Sequence, residues 1–509
     1  SRFAHMTLKH PWIVLLLLPL TGATGATTPA ASVSDSDHER PSQRLARAVD
    51  PVVREVMLQE HLPGVAVVVV RHGRTVLASG YGMADVTKRT PVDPQTTLFR
   101  IGSVSKALTA LAITRLADLG RLSLEDDVAE HYEGFGDVPN TSGSRAPVRL
   151  WHLLTHTGGF DQVGIARHVW QLDKSLAERK ALRPSLREFL QRGNLRRVSA
   201  PGEYFRYDTY GITLAGAVLE SVTGQAYADA MQSVLFQPAG MTRTFVEVPA
   251  EFAHDLATGY GYEDGKYRPA PYEIYMTTPA SSIDATPADM GRLLEVLTGE
   301  GRGVLSAGAV RAVLAPQYRP HHGFPGTTHG MFERFTAHER HPVRSIGHGG
   351  SMLGYHTSLT LIPSLAVGVF VVTNRDPEAG GGAISIHARV AGAILDVLHE
   401  PAPPTAWDVP APSEQTDLTP FAGDYAYGVF CHTCTAQEQE RGGWQRGAVE
   451  KVRAAAGALL IGERQYYAAA EPGVFVSRDG AQRVYFKRDA SGRVSSFSYS
   501  TSADTFERQ

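Results

Sequence analysis

A serine and a lysine stand three residues apart at the start of a helical pattern. Ser103 and Lys106 belong to the segment GSVSK (residues 102–106), which follows a strand-like run and precedes apolar positions at helical spacing. Side chains three residues apart on a helix lie on the same face. Burial and the positive end of the helix dipole both lower a lysine pKa, and a neutral amine accepts a serine proton. The spacing therefore predicts an activated serine nucleophile.

An S-x-x-K spacing alone occurs by chance in a chain of this length, so the surrounding motifs decide the interpretation. Residues 99–106, FRIGSVSK, resemble the active-site segment of the group formed by class C β-lactamases, D-Ala-D-Ala carboxypeptidases and family VIII esterases. Further segments resemble this family in consistent order and bring the match to roughly residues 63–374: LWHLLTHTGG (150–159), PGEYFRY (201–207), PAGM (238–241), ATPADM (285–290) and GHGGSMLGY (347–355).

The second motif of the family, Y-x-N, corresponds to Tyr207 and Thr209. The resemblance implies that the Tyr207 phenol cooperates with Lys106 in moving protons between nucleophile and leaving group. The alternative is a half-buried core tyrosine. Thr209 replaces the asparagine and offers one hydroxyl where an amide offers an acceptor and two N–H donors. We therefore expect Thr209 to bind substrate, but not by the family's usual recognition of an amide.

The third motif is K-T-G in many lactamases and H-x-G in several peptidases and esterases, and it corresponds here to His348, Gly349 and Gly350. Histidine replaces the permanent charge of lysine by one that ordinarily titrates near pH 6.5. A structural imidazole is the alternative. The two glycines allow the strand backbone to approach a bound acyl group. The resemblance implies an oxyanion hole made by the backbone N–H groups of Ser103 and Ser351.

These residues predict hydrolysis through an acyl-enzyme, with no metal and no organic cofactor. Because Thr209 and His348 weaken contacts to amides and carboxylates, we rank small carboxylic esters first, D-amino-acid peptides second and β-lactams third as substrates. An exported acyl-binding or sensor protein without turnover is the alternative from another functional class, and Thr209 is the feature that favours it.

The pattern of the chain predicts the elements that position these residues. Apolar positions recur at helical spacing over residues 41–60, and two β-favouring runs at 64–71 and 75–81 flank a turn. The nucleophile begins a helix that continues to residue 120, and extended segments return at 357–373. We expect an α+β domain of the β-lactamase/transpeptidase type over residues 33–400: an antiparallel sheet flanked by helices, with an additional all-helical region.

A proline-rich stretch divides the chain near its C-terminal fifth. Residues 401–417 contain five prolines, which disfavour both helix and sheet, and we interpret them as a linker. Over residues 418–509, turn signals separate five short β-prone runs, at 423–430, 458–461, 473–477, 483–487 and 494–500. They predict a small antiparallel barrel, which resembles the lipocalin-like tails of similar hydrolases. We expect this barrel to regulate the enzyme or to gate its substrates.

The N-terminal residues have the layout of a signal peptide. Basic Lys9 precedes the apolar run of residues 12–20, and small residues follow through Ala26. The run is well short of the roughly 20 residues that span a bilayer. We therefore assign residues 1–32 to a signal peptide and N-terminal extension, expect no transmembrane anchor after cleavage, and expect the protein to be periplasmic or secreted.

Composition and metal-ligand residues narrow the function further. The 509 residues include 49 basic and 52 acidic side chains, a balance that argues against nucleic acid as a partner and leaves a small ester, peptide or β-lactam. Cys431 and Cys434 form a C-x-x-C; a local disulfide is favoured over a redox pair or half of a metal site. Five other histidines match no regular ligand spacing and are interpreted as loop residues: His321, His322, His329, His338 and His341.

Overall fold

The computed structural model describes residues 41–161, 178, 181, 183–191, 195–335, 343–375, 382–398, 417–428, 449–455 and 457–509. Several predictions lie outside these residues. They are the signal peptide, nearly all of the proline-rich linker, the C-x-x-C pair, and His338 and His341.

The part of the chain from residue 41 to residue 398, which contains Ser103 and Lys106 and which we call the catalytic region, has twelve strands among its described residues. They are β1 (Gly64–Arg71), β2 (Arg74–Asp85), β3 (Thr90–Pro91), β4 (Phe99–Arg100), β5 (Thr244–Phe245), β6 (Tyr260–Glu263), β7 (Lys266–Pro269), β8 (Asp284–Ala285), β9 (Phe332–Phe335), β10 (Arg344–Met352), β11 (Tyr355–Ile362) and β12 (Val367–Thr373). Seven of them form the main sheet, in the order β3-β2-β1-β12-β11-β10-β9. The described pairs in this sheet are antiparallel, as the sequence predicted.

Helices cover both faces of this sheet. The α-helices are α1 (Pro41–Gln59), α2 (Ser105–Asp118), α3 (Val128–His131), α4 (Leu150–Leu154), α5 (Leu186–Phe189), α6 (Thr209–Thr223), α7 (Tyr227–Met231), α8 (Thr278–Ser281), α9 (Pro287–Thr298), α10 (Ala307–Leu314) and α11 (Gly382–Leu398). Helices α1 and α11 pack together on one side, and α9 packs against β1 and β12 on the other. Among these helices, none combines the length and hydropathy of a membrane-spanning segment.

The valine-rich strand β1 separates two hydrophobic cores. Ala66, Val68 and Val70 contribute to the core that contains α2 and α6, whereas Val65, Val67 and Val69 face α1 and α11. A strand buried on both faces loses polar alternation, which explains the continuous apolar run. Helix α2 is buried nearly all round, not along one side only, because it lies in the middle of the larger core.

The C-terminal region folds into a closed barrel of eight strands. They are β13 (Gly423–Tyr427), β14 (Val449–Ala455), β15 (Ala458–Ile461), β16 (Arg464–Ala468), β17 (Val474–Ser477), β18 (Arg483–Arg488), β19 (Val494–Tyr499) and β20 (Thr505–Arg508). The predicted antiparallel barrel is therefore confirmed, although the sequence pattern missed β14, β16 and β20. Aromatic side chains fill its interior, including those of Phe421, Tyr425, Phe475, Phe486 and Phe497.

Polar contacts join the barrel to the catalytic region, and we call this contact the barrel junction. Arg206, next to the predicted catalytic tyrosine, makes two hydrogen bonds to the Glu507 carboxylate on β20, from Nε at 2.7 Å and from Nη2 at 2.6 Å. Lys487 Nζ on β18 donates to the Glu203 carbonyl at 2.5 Å. Three charged side chains, those of Arg206, Glu507 and Lys487, thus hold the barrel against the segment that leads to Tyr207.

Candidate active site

Ser103 lies in a tight turn between strand β4, which pairs with β8 in a separate three-stranded sheet, and helix α2. Strand β4 ends at Arg100, a 3-10 turn spans Gly102–Val104, and α2 begins at Ser105. Gly102 adopts a φ of 53°, in the left-handed region that favours glycine. Ser103 is partly exposed while its two neighbours are buried. The turn therefore presents the hydroxyl from an otherwise buried backbone.

Lys106 lies one helical turn beyond Ser103 and is 1% exposed. Its Nζ atom is 3.1 Å from Ser103 Oγ and donates a hydrogen bond to the Ala280 carbonyl at 2.9 Å. Burial lowers the pKa of Lys106 to about 7, and the charge of Asp208 opposes this shift. A substantial fraction of the amine is consequently neutral near pH 7 and able to accept the hydroxyl proton.

Tyr207 completes the predicted trio. Lys106 Nζ lies 4.9 Å from the centre of the Tyr207 ring. Burial raises the pKa of Tyr207, and a hydrogen bond with the Ser103 side chain opposes that shift. Because the phenol keeps its proton at neutral pH, it is suited to donate a proton to a leaving group. The amine, and not the phenolate, is the better base in this site.

Two buried residues that the sequence analysis missed support this trio. Asp208 caps helix α6, accepting hydrogen bonds from the Tyr210 N–H at 2.8 Å and the Gly211 N–H at 2.9 Å. Burial raises the pKa of Asp208 to about 7, although these bonds and Lys106 oppose the rise. His156 Nδ1 accepts from the Asp208 backbone N–H at 3.0 Å. An aspartate directly before a helical run is an N-cap signal that would have identified Asp208.

His348 is buried beside the site, and its surroundings disfavour the charged form of the imidazole. Its Nδ1 donates to the Gly349 carbonyl at 2.5 Å, and Nε2 has no hydrogen-bond partner among the described residues. Its ring centre lies 4.8 Å from that of Phe332 and 5.9 Å from that of Tyr207. Burial, together with the charge of Lys106, holds the pKa of His348 well below its ordinary value. The expectation of a charge that titrates near pH 6.5 is therefore wrong.

The two glycines of the third motif differ in their packing. A Cβ atom added to Gly350 would lie 2.1 Å from the Ile101 carbonyl oxygen and 2.4 Å from Thr357 Oγ1. At Gly349 the nearest atom, the Thr357 carbonyl oxygen, would be 3.8 Å away. Close approach of β10 to the nucleophile turn thus requires glycine at position 350 and tolerates a side chain at 349.

Strand register directs the Ser351 N–H toward the nucleophile turn. Met352 and Tyr355 close the β10–β11 hairpin, so the next pair, Ser351 and His356, is a pair without mutual backbone hydrogen bonds. The Ser351 N–H therefore points away from β11. A Cβ atom added to Gly102 would lie 3.1 Å from Ser351 N, which places this nitrogen beside the turn that carries Ser103. The arrangement fits the predicted oxyanion hole.

Thr209 is the first residue of α6 and is buried. Its carbonyl oxygen accepts a hydrogen bond from the Thr213 hydroxyl at 2.8 Å, as in the interior of a helix. The position follows Asp208 and lies two residues from Tyr207. Contact between Thr209 and substrate stays a prediction.

A cavity of about 180 Å³ lies beside Tyr207, and the barrel supplies one of its walls. The catalytic side and the barrel side each contribute aromatic and polar groups. They include Phe205, Tyr207 and Phe332 on the first side and Tyr427, Ala503 and Asp504 on the second. Tyr427 donates a hydrogen bond to Asp504 Oδ1 at 2.8 Å. A gating role for the barrel stays a prediction, and the sequence did not identify these barrel residues because the two sides of the cavity are far apart in the chain.

Comparisons with known proteins agree with the motif pattern. The Beta-lactamase family model matches residues 49–393. Esterase EstB of Burkholderia gladioli is 32% identical over 253 residues, 47% of this chain and 60% of EstB. Protein flp of Staphylococcus aureus (strain N315) is 31% identical over 213 residues, 42% of this chain and 40% of flp. The chain thus spans only about half the length of these relatives.

A solved structure extends the similarity to the barrel. The crystal structure of SurE aligns with a TM-score of 0.61 at 22% identity, covering 92% of this chain and all of that one. At this identity the likeness concerns the fold alone. It covers the catalytic region and the C-terminal barrel together, whereas the family model ends at residue 393.

Proposed function

The chain belongs to the Beta-lactamase family, and we propose that it is a serine hydrolase that cleaves small carboxylic esters through an acyl-enzyme on Ser103. One observation carries the proposal: Lys106 Nζ lies 3.1 Å from Ser103 Oγ, in surroundings that lower the pKa of Lys106 to about 7. The similarity to an esterase, EstB, supports the choice of ester substrates.

In the proposed mechanism, neutral Lys106 accepts the hydroxyl proton as Ser103 Oγ attacks the ester carbonyl. The oxyanion is held by the backbone N–H groups of Ser103 and Ser351, and in comparable sites the loss of one such donor raises the barrier by about 2.7–4 kcal/mol. Tyr207 donates its proton to the departing alkoxide and recovers one from protonated Lys106. Water then attacks the acyl carbonyl and gives a proton to Lys106. The bond to Ser103 Oγ breaks, protonated Lys106 returns this proton to the serine oxygen, and the carboxylic acid leaves.

The neutral state of His348 supports esters over substrates that need a cation. A lysine in the third motif offers a permanent positive charge to a substrate carboxylate. His348 is buried with a strongly lowered pKa, so it offers no charge at neutral pH. A neutral ester has no carboxylate that needs a cation, so the replacement of lysine by His348 does not weaken its binding. A β-lactam carboxylate loses an ion pair by the same replacement.

Hydrolysis of D-amino-acid peptides is a second candidate, which one observation favours. The exposed Arg334 on β9 lines the same cavity as Tyr207. Its guanidinium offers a charge to the terminal carboxylate of a peptide. Asp504, in the same wall, opposes an anion there. We therefore keep esters as the first candidate.

A substrate panel separates these candidates. The full chain is assayed with p-nitrophenyl acetate and butyrate, a D-Ala-D-Ala peptide and a chromogenic cephalosporin, with Ser103→Ala as the control. Turnover of the esters, and labelling of Ser103 by a fluorophosphonate probe, support the proposal. Turnover of the peptide alone would favour the second candidate. Labelling without any turnover would favour an acyl-binding sensor and contradict the hydrolase.

The pH dependence of kcat/KM for p-nitrophenyl butyrate reports the base. Because the neutral amine is the active form, activity should be high above about pH 7, where the pKa of Lys106 lies, and should fall toward acid. The negative charge of Asp208 raises the pKa of Lys106. Asp208→Asn keeps the helix cap and removes that charge, so the inflection should move to lower pH. An unmoved inflection would show that another group titrates.

The barrel wall should limit substrate length. Tyr427→Ala enlarges the cavity beside Tyr207, so kcat/KM for p-nitrophenyl octanoate should rise relative to butyrate by about tenfold, the effect of fitting one or two methylenes. The control is Tyr467→Ala, a barrel tyrosine on β16 outside this cavity. An unchanged octanoate-to-butyrate ratio in Tyr427→Ala would argue against a gating role for the barrel.

We also propose that the enzyme is exported. The apolar run of residues 12–20 and the small residues after it support this proposal. Fractionation of expressing cells, with an antibody against the full chain, tests it. Recovery of the full-length chain in the cytoplasm alone would contradict it.

A further inference from the structure

Three metal-ligand side chains meet where a loop of the catalytic region touches the barrel. His321 and His322 follow helix α10, and Glu471 lies in the turn between β16 and β17. Each histidine Nε2 lies 3.2 Å from the same Glu471 oxygen, Oε1. The three ligand atoms lie within 4.8 Å of one another. Two segments that are far apart in sequence thus present two imidazoles and a carboxylate to one point.

The distances between the three ligand atoms are close to those found around a tetrahedral zinc ion. Zinc bound tetrahedrally at about 2.0–2.1 Å separates neighbouring ligand atoms by about 3.3 Å. Both histidine-to-glutamate distances are close to this value. Only the distance between the two imidazole nitrogens needs to shorten, by at most about 1.5 Å for that geometry. His322 is 79% exposed, so a rotation of its side chain achieves this.

His321 is already held in position. Its side chain is 12% exposed, and its ring lies 4.4 Å from the Tyr485 ring and edge-on to Phe324 at 5.6 Å. Its Nδ1 accepts a long hydrogen bond, 3.4 Å, from the Gly323 N–H. Zinc at Nε2 requires a proton on Nδ1, so this weak bond would open at little cost. The Nε2 atom of His321 is therefore already positioned to bind the ion.

Some charged groups around the three residues disfavour a bound cation, and others favour it. Arg483 donates from Nη2 to the Gly323 carbonyl at 2.6 Å, and its guanidinium lies over the Phe324 ring. Its positive charge disfavours a nearby cation, whereas the Glu471 carboxylate favours one. Burial lowers the pKa of His321 and the charge of Glu471 opposes this shift, but the net effect favours the neutral imidazole, which is the form that binds a metal.

We propose that His321, His322 and Glu471 bind one Zn²⁺ ion, with water as the fourth ligand. This donor set, two imidazoles and one carboxylate, is among those that zinc prefers. Because Glu471 belongs to the barrel and the histidines belong to the catalytic region, the ion ties the two together at the barrel junction. The site is separate from Ser103 and takes no part in the proposed ester chemistry.

Titration of the full chain tests this proposal after removal of metals by a chelator. Zn²⁺ is added in a calorimeter, and Co²⁺ is used in parallel because tetrahedral cobalt absorbs visible light. We expect one ion per chain, a higher midpoint of thermal unfolding with Zn²⁺, and at least tenfold weaker binding in His322→Ala and in Glu471→Gln. Both substituted side chains are at least one-third exposed, so the variants should fold.

The matched control is His131→Ala, which removes a histidine paired with one carboxylate, that of Asp126 at 2.8 Å. It should bind Zn²⁺ like the unmodified chain. Absence of saturable binding would overturn the proposal. Binding that persists in both His322→Ala and Glu471→Gln would also overturn it, because the ion would then occupy other residues. These readouts do not depend on hydrolase activity.

Discussion

Replacing Lys106 by methionine is expected to lower kcat/KM for p-nitrophenyl butyrate by about 10²- to 10⁴-fold, the usual contribution of a general base. Methionine has a similar length and suits the buried position, but it has no nitrogen to accept the Ser103 proton. The hydrogen bond from Nζ to the Ala280 carbonyl is lost as well. The measurement is steady-state kinetics, with circular dichroism to confirm the fold.

The control is Lys88→Met, which removes a lysine whose side chain is 75% exposed and which pairs with Asp85, three residues earlier. This variant should keep its activity within a factor of two or so of the unmodified enzyme, since exposed ion pairs contribute little. If Lys106→Met kept both its rate and its acid inflection, Lys106 would not be the base. Tyr207 would then be the next candidate.

Removing the carboxylate of Glu507 is expected to produce the largest loss of stability. Arg206 and Glu507 form a two-pronged ion pair at the barrel junction, with side chains only 6% and 13% exposed. Glu507→Ala leaves the Arg206 guanidinium buried with this partner missing, which typically costs about 3–5 kcal/mol. Urea denaturation measures the change in the free energy of unfolding. Activity should fall too, because Arg206 precedes Tyr207 in the chain.

Two further variants test whether burial of the Arg206–Glu507 ion pair accounts for the expected loss of stability. Glu133→Ala breaks an ion pair with Arg187 of similar length, 2.9 Å, but with side chains 85% and 52% exposed, and it should lower the free energy of unfolding far less than Glu507→Ala does. Replacing both Arg206 and Glu507 by methionine should recover much of the lost stability, since a buried pair is often equivalent to apolar residues. Equal effects of Glu507→Ala and Glu133→Ala would show that the barrel junction does not depend on this pair.

Local patterns were enough to predict the scaffold of the site. The apolar spacing of α1 and the valine-rich β1 reflect single elements packed against a sheet, so their periodicity is visible in the sequence. Ser103 and Lys106 were likewise found because one helical turn joins them. In the barrel, the short strands β14 and β16 carry exposed charged residues, and their pairing depends on neighbours that no local pattern reveals.

Properties that depend on burial or on distant contacts were not predicted. The sequence identifies His348 as an imidazole, but only packing against Phe332 and Tyr207 shows that it stays neutral. Tyr427 and Asp504 line the cavity beside Tyr207 only because the barrel docks where it does. The sequence pattern was sufficient to predict Asp208 as a helix N-cap. Its nearness to Lys106 required the fold.

The aromatic core of the barrel limits which of its residues can be substituted. Because Tyr425, Phe475, Phe486 and Phe497 occupy the interior, the barrel holds its shape without a guest molecule, and stability resides in its centre. Residues 502–504, in the turn before β20, contribute to the cavity beside Tyr207 from outside that centre. Substitutions in this turn are therefore expected to change the wall of the cavity without disturbing the aromatic core that holds the barrel together.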